Sequence, residues 1–360
     1  MRVVVCGAGA VGAATAYFLA EAGADVTLVE RADVACAASG KSGGFLALDW
    51  CDGQPVAGLA RRSFALHEEL AGRLPADWGY RRMTAYAGRE TAEPREGPVG
   101  WLGPVEIVQT LGGPDTTAQV IPEAFTRALA EAAVAKGARR VDGAVEGLVR
   151  GRSGAVEGVR LARRVLEADR VVIAMGPWSI LAAAWLPMPI IYGLKGHSMV
   201  LRTGDRLPAE ALFLECEGPE GRATPEIFPR PDGTTYVCAI SSQTALPMDP
   251  LDVGPDPGAF ARLEAIVHRL APALDDCPVV TRGACFRPVT ADGWPLVGAV
   301  EAMPGAYVAT GHSVWGILNA PATGEALAEL IGTGSTAHVS LDALRPERLP
   351  PLHPGRLVTG

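Results

Sequence analysis

The sequence predicts an α/β fold, in which a Rossmann-like domain is interleaved with a second, mainly antiparallel α+β domain. The first thirty residues give the order strand, glycine turn, helix, strand. A second glycine turn leads into a helical pattern after residue 311, and residues 186–280 carry strand-like runs with one helical pattern. These three observations put one parallel architecture at both ends of the chain and a different architecture between them.

The first element is a β-branched run at 2–6, followed at once by a glycine turn and a helical stretch. Gly7 permits the turn, Gly9 lets the backbone approach a pyrophosphate, and Gly12 lets the helix pack on the strand. A second strand ends at Glu30, where a carboxylate can hold a ribose hydroxyl. Together these features predict a bound adenine dinucleotide; the alternative is a glycine turn with only a packing role.

Length and composition favour a two-domain protein that handles small molecules. The 360 residues carry a formal net charge of −8 with basic residues scattered among acidic ones, so we expect neither nucleic acid nor a membrane as partner. The longest apolar stretch, 180–191, is too short to span a bilayer. Seven cysteines without CxxC spacing argue against disulfides and against a metal site. A strand at residue 2 leaves no room for a signal peptide, so a cytoplasmic protein is expected.

Small residues fill the segment after the second strand, where Gly40, Lys41 and Ser42 invite comparison with a phosphate-binding loop. That motif also needs a glycine at position 35, which is alanine, and an apolar strand before it. We therefore expect a loop whose backbone N–H groups face a second part of the same cofactor, with Ser39 or Ser42 adding a hydroxyl. The alternative is a solvated glycine-serine turn.

The middle of the chain alternates between helical and strand-like patterns. Helices are predicted over 55–74, 123–136 and 258–270, while residues 75–117 show little periodicity. Strands are predicted by the runs 138–149, 156–161, 168–175, 196–201, 211–215 and 234–240. Gly176 follows one of these strands and permits close approach of the backbone to a ligand.

In the last third, a strand at 306–310 leads into a glycine turn and a helix predicted over 322–331, so a second helix N-terminus can face the cofactor. The proline-rich stretch 345–354 is expected at the surface. The predicted nucleotide-binding domain is discontinuous and comprises 1–50, 118–185 and 281–345. The substrate domain comprises 51–117 and 186–280, and residues 346–360 form a tail.

These motifs together resemble the D-amino acid oxidase superfamily of flavoproteins, which includes glycine oxidase and monomeric sarcosine oxidase. Four signatures match in order: the turn 7–12 with Glu30, the loop 39–46, the strand end 174–178, and the paired segments 287–295 and 310–324. They span nearly the whole chain, and their joint occurrence is what makes the match specific. The sequences of two segments, 43–50 and 311–317, also resemble a subgroup described only as FAD-dependent oxidoreductases.

The resemblance implies FAD, with the isoalloxazine between the domains and a hydride leaving an amine or amino-acid Cα–H for flavin N5. It also implies that the helix start at 311–317 stabilises negative charge on the reduced flavin. The residues that it implies for cofactor binding are Gly7, Gly9, Ala10, Val11, Gly12, Glu30, Arg31, Ser39, Lys41, Ser42, Gly43, Gly44, Phe45, Leu46, Val145, Gly176, Trp178, Cys285, Gly311, His312, Ser313, Gly316 and Ile317.

Arg287 falls where amino-acid oxidases of this superfamily hold the substrate carboxylate, a task that suits a planar guanidinium; the alternative is a structural ion pair. Cys285 falls where sarcosine-oxidase types link the flavin 8α-methyl covalently; the alternative is a buried free thiol and non-covalent FAD. Phe45 and Trp315 are candidates for the substrate pocket, although a core role suits Trp315 equally. No general base is nominated. His197 is expected to be a structural residue of the domain junction.

The function predicted from the resemblance is oxidation of the C–N bond of a small amino acid or amine, with O2 as electron acceptor. A dehydrogenase of the same substrates is the first alternative, because the lysine that activates O2 in sarcosine-oxidase types has no counterpart near 236–239. A flavin-holding interaction protein and a nicotinamide-dependent dehydrogenase are further alternatives. The sequence does not identify the amine, its chirality or the oligomeric state.

Overall fold

Two large sheets form the framework of the fold, in a computed structural model that describes residues 1–218 and 221–352. The first elements are β1 (Arg2–Cys6), α1 (Ala10–Glu21), β2 (Asp25–Glu30), α2 (Ala38–Lys41), β3 (Phe45–Ala47), α3 (Ala57–Arg73), β4 (Arg81–Arg82), β5 (Thr84–Glu90), β6 (Val105–Gly112) and β7 (Thr117–Gln119). The next are α4 (Pro122–Ala135), β8 (Arg139–Asp142), β9 (Val145–Arg150), β10 (Val156–Leu161), β11 (Arg164–Glu167), β12 (Arg170–Ile173), β13 (Tyr192–Arg202) and β14 (Glu210–Gly218). The last are β15 (Gly221–Ala223), β16 (Glu226–Pro229), β17 (Thr234–Ser242), α5 (Ala259–Leu270), β18 (Val279–Val289), β19 (Leu296–Ala299), β20 (Ala306–Thr310) and α6 (Gly316–Thr333).

The Rossmann-like sheet has the strand order β19-β20-β12-β1-β2-β8. β1 pairs in parallel with β2 and with β12, and β12 continues in parallel to β20. Residues 3–6 of β1 are buried, which explains their continuous apolar run. Because the carboxyl ends of parallel strands share one edge, the loops after β1, β12 and β20 meet there. The predicted α/β fold is confirmed.

Four helices, α1, α3, α4 and α6, bury their apolar sides in one core against this sheet. Gly324 brings α6 to α1, because a Cβ at this position would lie 2.6 Å from the carbonyl carbon of Ala14. The opposite face of the sheet is covered by the small sheet β9–β10–β11 and by a 3-10 helix, Gly176–Ala184. Among the described residues, no helix combines the length and apolar content that crossing a bilayer requires.

The second large sheet has the order β18-β13-β17-β16-β14-β5-β6, with β15 beside β14. Its neighbours are antiparallel apart from β14 and β5, which run in parallel. One face packs on α5, where Leu263, Ile266 and Leu270 enter the core. The other face carries Phe228, Tyr236 and Cys238 and turns toward the carboxyl edge of the parallel sheet. The two large sheets therefore face each other across the space at this edge.

Two segments lie outside the domain to which the sequence assigned them. Most of β18 falls in the segment 281–345, yet the strand pairs with β13 in the antiparallel sheet. Helix α3 falls in the segment 51–117, yet it packs on α6 in the Rossmann-like core. Residues 75–117, which show little periodicity, hold β4, β5 and β6. Periodicity reports the type of an element and not its partner, so these assignments needed the structure. The remaining division into domains stays a prediction.

Helix α6 starts at Gly316, six residues before the predicted start, and contains Pro321. Proline has no N–H for the carbonyl of Ile317, four residues earlier, and normally ends or kinks a helix. Here His67 of α3 contacts that carbonyl, with its Nε2 at 3.0 Å, and Ser63 Oγ accepts the N–H of Ala322 at 2.9 Å. Burial lowers the pKa of His67 to about 4, so the ring is neutral and its Nε2–H donates. The helix therefore continues through the proline.

The stretch after residue 345 packs on the body of the protein more closely than the predicted surface tail would. Pro346 is buried, Leu349 and Leu352 pack on the core beside the parallel sheet, and Arg348 forms an ion pair with Asp292, Nε to Oδ2, at 2.7 Å. Leu349 and Leu352, the apolar side chains between the prolines, explain why this stretch packs on the core. Residues 353–360 of the predicted tail lie outside the described residues.

We expect Gly324→Ala to destabilise the protein, because its Cβ would meet backbone atoms of Ala14 that cannot move aside. Overpacking of this kind lowers the free energy of unfolding by about 1–3 kcal/mol. Gly332→Ala is the matched control, because it lies on the same helix in open space, and alanine there should stabilise by about 0.5–1 kcal/mol. Urea unfolding measures both variants. Equal stability of the two would contradict the close packing of α1 and α6.

Candidate active site

A cavity of about 1630 Å3, open solvent included, lies between the carboxyl edge of the parallel sheet and the face of the antiparallel sheet that carries Tyr236 and Cys238. Its wall includes the turn after β1 and the end of β2 on one side, and residues of β13, β16, β17 and β18 on the other. A cleft at the carboxyl edge of a parallel sheet is where α/β proteins bind nucleotides.

The glycine turn after β1 brings backbone, without side chains, to this cavity. Gly7 has φ +104°, and a Cβ on it would lie 2.5 Å from the carbonyl oxygen of Ala174. A Cβ on Gly12 would lie 1.9 Å from the carbonyl oxygen of Gly7, so α1 can start here only with glycine at that position. The amide of Ala10 donates to Ser39, whereas the next amides of the first turn have no acceptor within the helix and begin at the cavity wall with Val11, as phosphate binding requires.

Glu30 is fixed at the end of β2 by two backbone amides. Its Oε2 accepts the N–H of Ala8 at 2.8 Å, and its Oε1 accepts the N–H of Ala32 at 2.9 Å. The carboxylate also lines the cavity, where it can accept a further hydrogen bond from a ribose hydroxyl. Ser39 fixes the neighbouring turn, since its Oγ accepts the N–H of Ala10 at 2.9 Å.

The small-residue loop connects the two walls. Lys41 Nζ donates to the carbonyl of Ala284 on β18 at 3.1 Å, and Arg230 Nη2 donates to the carbonyl of Ser42 at 2.9 Å. Ser42 lines the cavity, and its buried Oγ has no hydrogen-bond partner among the described residues. A buried hydroxyl without a protein partner on a cavity wall fits a bound polar ligand.

The second helix start forms the far side of the cavity. Ser313 has φ +49°, a conformation uncommon for a residue with a side chain, and Gly316 and Ile317 open α6 directly after it. The ring of His312 turns inward, with its Nε2 3.0 Å from Thr323 Oγ1, so its backbone faces the cavity. Burial lowers the pKa of His312 to about 3, which keeps this ring neutral.

A loop of the antiparallel domain closes over the nucleotide end of the cavity. Trp178 Nε1 donates to the carbonyl of Pro247 at 2.7 Å. Arg31 Nη1 donates to the carbonyl of Met248 at 2.7 Å, and its Nη2 lies 3.4 Å from Asp249 Oδ2. These bonds hold the two walls together across the cavity, at two residues that the sequence singled out for cofactor binding.

Arg287 and Cys285 project from β18 on the same side, as the two-residue spacing along a strand requires, and both line the cavity. Arg287 Nη1 donates to Ser241 Oγ at 3.1 Å. Burial raises the pKa of the Cys285 thiol, which favours the protonated form. The site therefore contains a cation beside a neutral thiol.

His197 and Lys195 have structural partners. His197 Nε2 accepts the N–H of Asp256 at 3.0 Å, and Lys195 Nζ forms an ion pair with Asp256 Oδ1 at 2.7 Å. Burial lowers the pKa of His197, which suits a neutral acceptor nitrogen. This arrangement supports the structural role expected for His197 at the junction.

Most residues of the sequence prediction lie together on the cavity wall. From the nucleotide end these are Gly7, Gly9, Ala10, Val11, Glu30, Arg31, Ser39, Lys41, Ser42 and Gly43. From the remaining wall these are Val145, Gly176, Trp178, Cys285, Arg287, His312, Ser313, Gly316 and Ile317. The sequence alone thus identified wall residues from the loops of the parallel sheet and from β18.

Six residues of the prediction lie behind the wall. Gly12, Gly44 and Gly311 are packed against backbone or side-chain atoms of the interior, and Leu46 is fully buried in the core. Phe45 and Trp315 both pack on Trp50, whose ring centroid lies 4.9 Å from that of Phe45 and 6.1 Å from that of Trp315. These residues support the site from behind, because their side chains or close contacts face the protein interior.

The sequence analysis missed part of the substrate side of the wall, namely Gly196, Ser198, Glu226 and Tyr236. The alternation along β16 and β17 would have put Glu226 and Tyr236 on one face of their strands. What the sequence could not supply was which face of the sheet meets the cofactor loops.

The fold and the cavity define a protein with a Rossmann-type dinucleotide site joined to an antiparallel sheet. The family model for DAO, FAD dependent oxidoreductase, matches residues 2–330. The chain belongs to this family, whose enzymes bind FAD and act on amino acids or amines. The resemblance recognised in the sequence is thereby confirmed.

Several relatives resemble the chain over most of its length. It is 32% identical to a protein of Schizosaccharomyces pombe named only as an oxidoreductase, over 96% of this chain and 98% of that one. It is 28% identical to a glycine oxidase of Pseudomonas aeruginosa, over 92% and 94%. It is also 32% identical to the bifunctional protein ThiO/ThiG of Nostoc, over 91% of this chain but 52% of that longer protein.

Solved structures share the fold. The glycine oxidase of Bacillus cereus superposes with a TM-score of 0.79 at 23% identity, over 94% of this chain and 99% of that one. The L-proline dehydrogenase of P. horikoshii superposes with a TM-score of 0.77 at 20% identity, over 96% and 98%. At these identities the likeness concerns the fold alone.

The residues of the cavity fit FAD, because first-turn amides, a fixed carboxylate and an unpartnered hydroxyl face one space. We expect Glu30→Ala to weaken FAD binding about 10- to 150-fold, the equivalent of a charged hydrogen bond of about 1.5–3 kcal/mol. Glu106→Ala, on the surface of β6, is the control. Titration of apoprotein with FAD, followed by flavin fluorescence, gives both dissociation constants. Equal affinities would contradict the role of Glu30.

Proposed function

We propose that the protein oxidises the C–N bond of a small amino acid or amine by hydride transfer to FAD, with O2 as electron acceptor. The observation that carries the proposal is Arg287, a guanidinium on the cavity wall at the junction of the two sheets. A guanidinium in this position can bind a substrate carboxylate through two parallel hydrogen bonds and orient the Cα–H.

The bound FAD supplies the hydride acceptor. The chain's own residues supply position and electrostatics. The N-terminus of α6, opened at Gly316, offers unpaired amides and the positive end of a helix dipole to negative charge that develops in the cavity. The aromatic cluster behind the wall, in which the ring centroids of Phe45, Trp50 and Phe213 lie about 5 Å from one another, supports the substrate end with packed apolar rings.

The use of O2 is supported by Lys41, which the sequence analysis assigned only to cofactor binding. Lys41 lies on the cavity wall and bonds to the backbone beside Cys285. A cation in this position favours electron transfer to O2 because negative charge develops on the oxygen. Both a glycine oxidase and an L-proline dehydrogenase share the fold, so the acceptor is decided by measurement of oxygen uptake with substrate present.

The alternative of a flavin-holding protein without turnover would require a blocked pocket or an Arg287 that points into solvent. Instead Arg287 lines an open cavity, where its guanidinium lies over Gly196 and donates to the exposed Ser241. The geometry therefore favours an enzyme. An absorbance spectrum tests the cofactor, because a yellow protein with flavin bands excludes a nicotinamide enzyme.

We expect Arg287→Lys to raise the KM for an α-amino acid and to lower kcat/KM about 10- to 150-fold, because an ammonium cannot form the paired bonds worth about 1.5–3 kcal/mol. Arg282→Lys is the matched control on the same strand, where the guanidinium is exposed and pairs with Glu264. Amino-acid-dependent flavin reduction, followed without O2, measures both. Similar values for the two variants would contradict the carboxylate-binding role.

We further propose that FAD is held without a covalent bond, although Cys285 lines the cavity. A flavin thioether requires the thiolate, and burial raises the pKa of this thiol. After acid precipitation the yellow colour should therefore stay in the supernatant. Colour that remains with the pellet in the wild type, and is released in Cys285→Ser, would overturn this expectation.

A further inference from the structure

Glu226 is a carboxylate on the cavity wall to which the proposed function gives no task. It lies on β16, opposite Cys238 of β17, and Cys238 Sγ donates to its Oε2 at 3.5 Å. Its side chain lines the same cavity as Arg287. A half-buried carboxylate without a close cation partner is costly while it is ionised, and a bound cationic group would offset that cost.

Glu226 and Arg287 belong to one face of the antiparallel sheet. Cys285 pairs with Gly196, Ser198 pairs with Cys238, and Cys238 pairs with Glu226, and directly opposed residues of antiparallel strands point to the same side. Arg287 follows Cys285 by two residues and so shares this face. The cation and the carboxylate therefore stand on a common floor beneath the cavity.

The guanidinium of Arg287 lies across β13 because Gly196 has no side chain. A Cβ on Gly196 would be 3.1 Å from Arg287 Nη2 and 3.2 Å from its Cζ. The guanidinium then reaches Ser241 on β17. Glu226 lies one strand beyond β17, in line with Cys238 and with Ser198, which is two residues along β13 from Gly196. A gap of about 7 Å along the strands and about 4.8 Å across them therefore remains between the guanidinium and Glu226. An α-amino acid with a charged hydrogen bond of about 2.7–2.9 Å at each end suits this gap.

The surroundings of Glu226 favour proton exchange. Burial raises the pKa of the Glu226 carboxyl, although the charge of Arg287 opposes this. The other titratable groups facing it are Cys238 and Tyr236, and burial raises the pKa of both well above their ordinary values, so they stay neutral. Phe213, its neighbour on β14, belongs to the aromatic cluster. Arg287 is thus the charged group that acts on Glu226 within the described part of the cavity.

We propose that Glu226 binds the ammonium group of a zwitterionic α-amino acid whose carboxylate is held by Arg287, and accepts one proton from it before oxidation. The proposal rests on the proposed function and names its substrate class. An N–H bond of the substrate breaks, its electron pair stays on nitrogen, and the proton forms an O–H bond on the Glu226 carboxylate. The neutral amine can then lose hydride from Cα, whereas an ammonium cannot.

Two consequences distinguish this site from a simple carboxylate-binding pocket. A substrate must carry both charges at the spacing of an α-amino acid, so amines without a carboxylate should be poor substrates. The enzyme can also use the zwitterion, the abundant form at neutral pH, and does not depend on the scarce free amine.

The first test uses binding and does not depend on turnover. Acetate, an anionic probe for Arg287, is titrated into oxidised holoenzyme while the flavin absorbance is followed over a pH series that begins at the ordinary pKa of glutamate and ends at pH 9. In the wild type, acetate affinity should fall as pH rises and Glu226 becomes anionic, because like charges repel. In Glu226→Gln the affinity should be higher at pH 9 and nearly independent of pH.

The second test measures flavin reduction by an α-amino acid without O2. In Glu226→Gln the rate of flavin reduction at pH 7 should fall about 100-fold or more, the usual contribution of a positioned base. This rate should then rise roughly tenfold per pH unit, because the free amine becomes more abundant. Glu226→Asp should recover part of the loss. Glu215→Gln, an exposed carboxylate on the neighbouring strand β14 that pairs with Arg222, should match the wild type.

Identical pH profiles and acetate affinities in Glu226→Gln and Glu215→Gln would overturn the proposal. Failure of the proposed function looks different, because no amino acid or amine would then reduce the flavin of the wild type. In that case acetate binding alone decides whether Glu226 and Arg287 share a site.

Discussion

The contact between α1 and α6 is the constraint on which the site depends. Gly324 allows the two helices to approach until a Cβ would meet the backbone of Ala14. Since α1 starts after β1 and α6 starts soon after β20, their N-termini reach the same edge of the parallel sheet. Two positive helix ends therefore face one cavity, from positions more than three hundred residues apart in the chain.

A second helix pair makes this convergence possible. Pro321 would end α6 near its middle, but α3 supplies His67 and Ser63 to the backbone groups that proline leaves without partners. Because the His67 ring is buried and neutral, this compensation adds no charge behind the cofactor site. Helix α3 thus contributes to the cavity from the far side of α6, which explains why it belongs to the Rossmann-like core.

The sequence was sufficient wherever a residue type is required by local geometry. Gly7, Gly12 and Glu30 could be assigned because turn, helix start and strand end follow one another within thirty residues. It was insufficient wherever a distant partner decides the outcome. The start of α6 depends on His67, and the role of Glu226 depends on β18 joining β13, contacts that no local pattern contains.

The face of the antiparallel sheet explains why a zwitterionic substrate suits this cavity better than a simple amine. Its floor beneath the cavity holds Ser198 and Cys238 between the guanidinium and Glu226, and glycine at 196 leaves room for the guanidinium. Arg287 bonds Ser241, while Glu226 accepts a weak bond from a thiol. Two opposite charges held apart on one cavity wall are both paired by a ligand that carries both complementary charges, since a ligand with either charge alone would leave one of them unpaired.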